Sequence, residues 1–409
     1  MRRGMQGRLE QHGSRQAAYS AFIPNPLPPD PPLRLTDELH DLLERSNRAL
    51  GRLDGLATLL PDPALFLYLY VRKEAVLSSQ IEGTQSSFSE LLLFESRAVP
   101  GVPLDDVKEV SRYVGAMSHG LRRLKDGFPL SLRLLREIHA VLMADGRGSE
   151  QTPGEFRTSQ NWIGGSRPGN AVYVPPPSEA LLDHLGALEN FLHDVPARTP
   201  TLVKAALAHV QFETIHPFLD GNGRLGRLLI TFLLCAEGAL TEPLLYLSLY
   251  LKQNRTRYYD LLQQVRTEGD WEEWLKFFLV GVETTADVAA STARRILGIL
   301  ERDRSRIEGA GRAAGTLLRL HHLMRRKPLL TISGAVADLE LSHPTVSSGI
   351  RTLEKLGIVD EVTGRGRDRI YAYREYLGVL NEGTELPGME SRELAFATPA
   401  ADGNERKPS

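Results

Sequence analysis

The stretch His216-Pro217-Phe218-Leu219-Asp220-Gly221-Asn222-Gly223-Arg224-Leu225-Gly226-Arg227 brings together a titratable base, an oxygen ligand, three glycines and two arginines. Gly221, Gly223 and Gly226 satisfy GxGxxG. That fingerprint needs a strand before it within a βαβ unit, whereas Val203, Leu207 and Val210 with the alanines between them read as helix. A glycine-rich loop between two helices can instead aim several backbone NH groups into one concave nest, with the positive end of the next helix beside it. Such a nest takes anions. Arg224 and Arg227, three residues apart, share a helix face and offer two guanidinium forks suited to phosphate oxygens. Cations at a helix N-terminus oppose the macrodipole, so a compensating negative group is expected, and a polyphosphate would serve. Asp220 supplies a hard oxygen ligand for Mg²⁺, which commonly binds through one carboxylate plus phosphate oxygens. His216 is the natural proton acceptor for an incoming hydroxyl near neutral pH.

The same stretch resembles the Fic family motif, HPFx(D/E)GNGRxxR, at every defined position. The resemblance implies a mainly helical enzyme that transfers AMP from ATP to a Ser, Thr or Tyr hydroxyl of a target protein. His216 would deprotonate that hydroxyl and Asp220 would hold Mg²⁺. Asn222 and the amides of Gly221 to Gly223 would bind phosphate oxygens, Arg224 and Arg227 would grip the β- and γ-phosphates, and Phe218 would fix the loop from the core. Leu225 and Gly226 complete the expected nucleotide-binding run. Downstream, the segment from Leu247 to Tyr259 resembles the helix closing the adenine side, with Gln253 as a nucleotide contact. Upstream, Gly154-Glu155-Phe156-Arg157 and the segment Asn161 to Val174 resemble the family's flap, which aligns a target segment by strand addition. Phosphoryl transfer, as in the Doc branch, is less well matched, because that branch typically has Lys where this chain has Gly223.

Ser78, Glu82 and Gly83 fit the family's inhibitory pattern, (S/T)xxxE(G/N). Independently of that pattern, Glu82 is an acid at the negative end of a helix that Gly83 closes, so it calls for a cationic partner. The resemblance names Arg227 as that partner and implies that the pair blocks the γ-phosphate.

These residues need rigid elements behind them. Leu39, Leu42, Leu43, Leu50 and Leu53 recur at mostly helical spacings, and Pro61 and Pro63 open a second helix running toward Gly83. Further helices are expected around 104–124, 131–143, 179–192, 202–212 and 225–237, and from 247 on to about 307. Asn161 to Val174 reads as a β-hairpin about Gly164-Gly165. Beyond a small-residue junction, 334–341 and 344–356 have helix-turn-helix proportions, with two β-rich runs and an arginine-bearing turn (Arg365, Arg367, Arg369) behind them. The fold class is therefore mainly α: a helical core with a β-hairpin flap and a small C-terminal winged helix-turn-helix. The expected divisions are a flexible proline-rich arm (1–34), an N-terminal helical region (35–100), the catalytic core (101–307), a linker (308–318), the winged helix (319–378) and a disordered tail (379–409).

Composition narrows the rest. The 409 residues suggest two to three domains, and 42% hydrophobic with 24% charged residues is ordinary globular usage. A net charge of -2 provides no whole-chain field for polyanions, so contact with DNA would be confined to the C-terminal module. The single cysteine, Cys235, excludes an intrachain disulfide and a cysteine-rich zinc cluster, and fits a reducing, cytoplasmic compartment. No secretory signal is expected, and the longest apolar run, Leu228 to Ala236, is well short of the ~20 residues that span a bilayer. The expected partners are ATP and a target protein, with DNA, a second copy of the chain and modification of the chain by itself left open. A nucleotide-sensing transcriptional regulator is the alternative; it would have no use for a base at His216.

Overall fold

Strong helix formers at helical spacing fill most of the chain, and the computed structural model is mainly helical with small sheets. It describes residues 1–13, 18–59, 63–95, 104–144, 150–364 and 368–385. An antiparallel hairpin comes first, β1 (Gly7–His12) and β2 (Tyr19–Pro24), with Gly7 opposite Pro24 and His12 opposite Tyr19. Helices α1 (Asp37–Leu59), α2 (Pro63–Ile81), α3 (Phe88–Glu95), α4 (Leu104–Lys125) and α5 (Leu132–Leu142) follow. Next are α6 (Leu181–Leu192), α7 (Thr201–Ile215), α8 (Asn222–Ala236), α9 (Ser248–Gln253), α10 (Arg255–Glu268) and α11 (Trp271–Glu308). The C-terminal part holds α12 (Ala314–Arg326), β3 (Leu329–Thr331), α13 (Ile332–Leu339), α14 (His343–Lys355), β4 (Asp360–Glu361), β5 (Ile370–Ala372) and α15 (Arg374–Asn381).

Two compact units result, residues 1–85 with 108–291 and residues 86–107 with 292–409. In the first, α7 is the central element. Every residue from Leu202 to Ile215 is buried, the polar Lys204, His209, Gln211, Glu213 and Thr214 among them. Trp274 of α11, fully buried, donates its indole NH to the Ala206 carbonyl of α7 at 3.0 Å. The long helical run expected from 247 to 307 is broken twice: Asn254 leaves helical dihedrals at φ -115°, and Gly269 caps α10 at φ 66°, a left-handed conformation that glycine adopts without strain. The flap segment makes a single antiparallel bridge, Ile163 with Tyr173, instead of a two-strand ladder. Three glycines and a proline between 164 and 169 leave little side-chain pairing to extend it.

The flexible arm expected over 1–34 is corrected. Its prolines cluster from Pro24 onward and leave the residues upstream free to form β1 and β2. The Arg3 side chain is fully buried and forks onto Glu272 at 2.6 and 2.8 Å, while also donating to the carbonyls of Pro31, Pro32 and Gly269. The Phe22 NH bonds the Val174 carbonyl at 2.9 Å, which ties β2 to the flap segment.

In the second unit, Thr331 and Ser342 cap α13 and α14 through their hydroxyls, as their types predict. The three strands form an antiparallel sheet in the order β3-β5-β4, with Leu330 and Glu361 both opposite Tyr371. Asp303, Tyr373 and His321 form a buried chain of hydrogen bonds at 2.8 and 3.2 Å. The boundary expected at 378 is also corrected: Val379 and Leu380 are buried and α15 runs to Asn381. Arg365 and Arg367, and the expected tail beyond 385, lie outside the described residues. No helix among the described residues is long and apolar enough to cross a membrane.

Arg3→Ala would take the guanidinium fork from Glu272, leaving it the Arg34 main-chain NH and the Met1 amino group, and would strip several carbonyls of a donor; removing one partner of a buried pair costs about 3 kcal/mol. Burial alone would raise Glu272; the Arg3 fork and the Arg34 main-chain NH outweigh it and bring the carboxyl down to about 2. A depressed carboxyl contributes stability above its unfolded value near 4.5 and loses it as pH falls toward 2. Thermal melts of Arg3→Ala should therefore give a lower midpoint at pH 7 and a gap to the parent that narrows below pH 4.

Candidate active site

The chain leaves α7 through His216, which takes a left-handed conformation at φ 49° and turns it toward the core. A non-glycine residue held there is strained, and the surroundings must impose it. They do so from three sides. Arg157, buried, donates from Nε to the His216 carbonyl at 3.0 Å and from its main chain to the Pro217 carbonyl at 3.0 Å. Asn161 Nδ2 donates to the carbonyls of His216 and Phe218 at 3.2 and 2.9 Å. Phe218 is fully buried and stacks on His139 with centroids 3.7 Å apart. His139 Nδ1 accepts from the Gly154 NH at 2.9 Å, so Nε2 carries the proton and donates to the Asp220 carbonyl at 3.0 Å. Burial keeps this imidazole neutral by lowering it to about 4.

Gly221 ends the loop at φ 78° and caps α8. A Cβ there would lie 2.8 Å from Met143 Sδ, so both the dihedral and the space demand glycine. The first turn of α8 then presents the NH groups of Asn222, Gly223 and Arg224, which have no acceptor within the helix. The side chain of Asn222 does not join them as expected. Its Oδ1 accepts from the Phe218 NH at 2.9 Å and its Nδ2 donates to the Phe218 carbonyl at 2.8 Å, so it braces the loop. Leu225 and Gly226 also depart from the expected set. The helical turn carries Leu225 fully into the core with its NH bonded to the Gly221 carbonyl, and the Gly226 carbonyl accepts from His209 Nδ1. Gln253 is exposed at the end of α9, and among the described residues no hydrogen bond or ion pair joins it to the loop.

Arg224 and Arg227 are 3% and 2% exposed, which makes their partners decisive. Arg224 pairs through Nη1 with Glu109 at 2.7 Å and lies 3.6 Å from Asp220 Oδ1. Arg227 donates from Nε to Ser78 Oγ at 2.8 Å, and from Nη2 to the Ser78 carbonyl at 3.1 Å and Glu82 Oε1 at 2.7 Å. The acid expected at the end of α2 thus has its cation. Gly83 closes that helix at φ 99°, and Arg255 Nε donates to the Ile81 carbonyl at 3.0 Å, a second cation at the negative end. A Cβ on Gly223 would overlap the Glu82 carboxylate, so the glycine keeps room for that carboxylate. Burial would raise Glu82, but Arg227, with Arg224 and His216 behind it, leaves it below the usual carboxylate range.

Donors remain unspent. Arg224 Nε and Arg227 Nη1 are buried without a hydrogen-bond partner. A buried charged donor without an acceptor is costly, and the missing acceptor suits the oxygen of an anion. Asp220 is 40% exposed, and its Oδ1 already accepts from the Gly221 NH at 2.6 Å. Among the described residues no group of three or more His, Cys, Asp or Glu could hold a metal by itself. A cation at Asp220 would therefore need phosphate oxygens to complete its shell. His216 is drawn down to about 4 by burial, with the Arg266 charge adding to it, so its imidazole is neutral and able to accept a proton.

Glu109, His139 and Glu213 join this neighbourhood without a signal in the sequence. Arg157 and Asn161 read in the sequence only as parts of the flap, yet both side chains grip the loop. Their contacts are made by side chains far apart in sequence, which spacing cannot reveal.

Residues 40–122 match the Fic/DOC family N-terminal model and residues 129–234 match the Fic/DOC family model. The protein adenylyltransferase Fic of Aedes aegypti is 35% identical over 213 residues, 51% of this chain and 39% of that protein. Its counterpart from Culex quinquefasciatus is 33% identical over the same shares. The matched segment thus spans about two fifths of the length of these relatives. A crystal structure of a Fic family protein from Desulfovibrio desulfuricans G20 superposes with a TM-score of 0.55 at 20% identity, covering 83% of this chain and 97% of that one, a likeness of fold. The loop from His216 to Gly221 and the first turn of α8 lie inside the segment that matches the Fic/DOC family model, and the segment matching the family's N-terminal model precedes it.

Proposed function

We propose that the chain is a protein adenylyltransferase that moves AMP from ATP to a hydroxyl side chain of a target protein, and that Glu82 restrains it. The observation carrying this reading is the pair of buried arginines with unspent donors, Arg224 Nε and Arg227 Nη1, on the helix that follows the His216 loop. Names borne by the relatives support the reaction class.

In this mechanism the neutral imidazole of His216 takes the proton of a Ser, Thr or Tyr hydroxyl on Nε2. The oxygen attacks the α-phosphorus of ATP, the bond from that phosphorus to the bridging oxygen of the β-phosphate breaks, and pyrophosphate leaves. The NH groups of Asn222, Gly223 and Arg224 and the two guanidinium groups receive the phosphate oxygens, which are most negative during the transfer. Asp220 would hold Mg²⁺, which offsets phosphate charge and orients the leaving group. Asn222 acts here by bracing the loop. The flap segment, with Val172 exposed at 76% beside Ile163 and Trp162, would align the target chain, consistent with its strand-like bridge.

While Glu82 holds Arg227, the γ-phosphate lacks its guanidinium and the α-phosphate is kept out of line. The order of α12, β3, α13, α14, β4 and β5 supports reading the C-terminal unit as a winged helix, in which Ser342 and His343 at the start of α14 would be the groups to meet a polyanion. A purely regulatory protein is the weaker reading, because the relatives are named for transfer and a sensor needs no base.

With purified protein, radiolabelled ATP and Mg²⁺, His216→Ala should abolish labelling while ATP still binds; near-parental labelling would remove His216 from the mechanism. Asp220→Ala should lose most activity together with its dependence on the divalent ion. Glu82→Gly should raise self-labelling on the order of 10²-fold, chiefly in turnover, since a freed guanidinium acts on the transition state. A labelling rate equal to the parent, with the fold confirmed by circular dichroism, would show that Glu82 is no gate.

A further inference from the structure

The geometry points to Glu213, one turn before His216 on α7, as a positioning residue that holds the Nδ1 edge of the base so that Nε2 faces the incoming hydroxyl. The inference rests on the transfer reading above and assigns a role to a residue outside the motif.

Three observations converge on it. Glu213 Oε2 lies 4.0 Å from His216 Nδ1. His216 Nδ1 is buried without a side-chain partner, the main chain of Glu213 being the other group that acts on the ring, and the second oxygen of the same carboxyl, Oε1, is buried and unpaired as well. Finally, a Cβ on Gly226 would overlap Glu213 Oε1. Position 226 is one the motif leaves open, and here it holds the residue that makes room for this carboxyl.

For Nε2 to accept a proton, Nδ1 must carry the ring's own proton, and a carboxylate 4.0 Å from Nδ1, beyond hydrogen-bond reach in this state, acts through its charge to favour that tautomer and to stabilise the imidazolium formed during attack. The hydroxyl proton moves to Nε2, Nδ1 keeps its proton and Glu213 takes none. Without such help an imidazole drawn down to about 4 is a weak base. The charged and titratable groups around Glu213 are Arg227 from α8, Glu82 beyond α2, Arg266 and Tyr258 from α10, and His216 itself. Burial raises Glu213 to about 7, with Arg227 opposing and Glu82 adding to the rise. Its ionised form, the one that supports the imidazolium, therefore grows in as pH rises through neutrality.

The test is made in the Glu82→Gly chain, where transfer is measurable. Its turnover should show an acid limb with a midpoint at or somewhat below about 7, because the raising charge of Glu82 is gone. Adding Glu213→Gln, which keeps the volume, should lower kcat about tenfold or more, leave ATP affinity within about twofold and flatten that limb. Gly226→Ala, which displaces the carboxyl without removing it, should lower kcat similarly, and combining the two should cost little more than either alone. A Glu213→Gln chain with unchanged kcat and unchanged pH profile overturns the inference. So does a loss shared equally by ATP binding and thermal midpoint, which would mark Glu213 as only structural. Failure of the Glu82→Gly chain to transfer at all would overturn the transfer reading, and this inference with it.

Discussion

The guanidinium of Arg227 is buried, and a buried cation must be answered by anions and acceptors or the fold loses several kcal/mol. Much of the first unit around the site is arranged to answer it. The end of α2 brings Ser78 and Glu82, Gly83 turns the chain away after them, and Gly223 stays small so that the carboxylate can lie against α8. One donor, Nη1, is still unanswered. A carboxylate and a phosphate are interchangeable partners for a guanidinium fork, so the interaction that completes this core is also one a nucleotide can take over. Inhibition and activity, in the proposed reading, are two ways of satisfying one charge.

The loop beside it depends on a second constraint, a strained backbone. His216 sits at positive φ because Arg157, Asn161 and the Phe218–His139 stack leave no alternative for the carbonyls on either side. Buried neutral imidazole at His139 completes the bracing, since a charged ring could not accept from the Gly154 NH. Rigidity of this kind keeps a base and a nest of NH groups in register without any bound ligand to organise them.

The helical character and the chemistry of the motif were legible because both are local: periodicity marks helices, and glycine, histidine and arginine at fixed spacing mark a phosphate loop. The acid at the end of α2 was legible for the same reason, as a charge at the wrong end of a helix. What spacing could not reveal was who answers whom. Asn222 stands where a phosphate ligand was expected, but it spends both polar atoms on Phe218, and Leu225 turns into the core because a helix rotates about 100° per residue. The proline count near the N-terminus suggested a loose arm, yet one buried arginine, Arg3, gathers Glu272 and the Pro31, Pro32 and Gly269 carbonyls into an ordered segment. Long-range pairing of this sort leaves no periodic trace.

If Glu82 and the γ-phosphate compete for one guanidinium, the nucleotide's third phosphate should matter only when the carboxylate is gone. Calorimetric titration of ATP and ADP, each with Mg²⁺, into the parent chain and into Glu82→Gly measures this directly. The account predicts nearly equal affinities in the parent and a roughly tenfold preference for ATP in the variant, on the scale of one charge-assisted pair, about 1.5 kcal/mol. An ATP-to-ADP affinity ratio that is the same in both chains would contradict it.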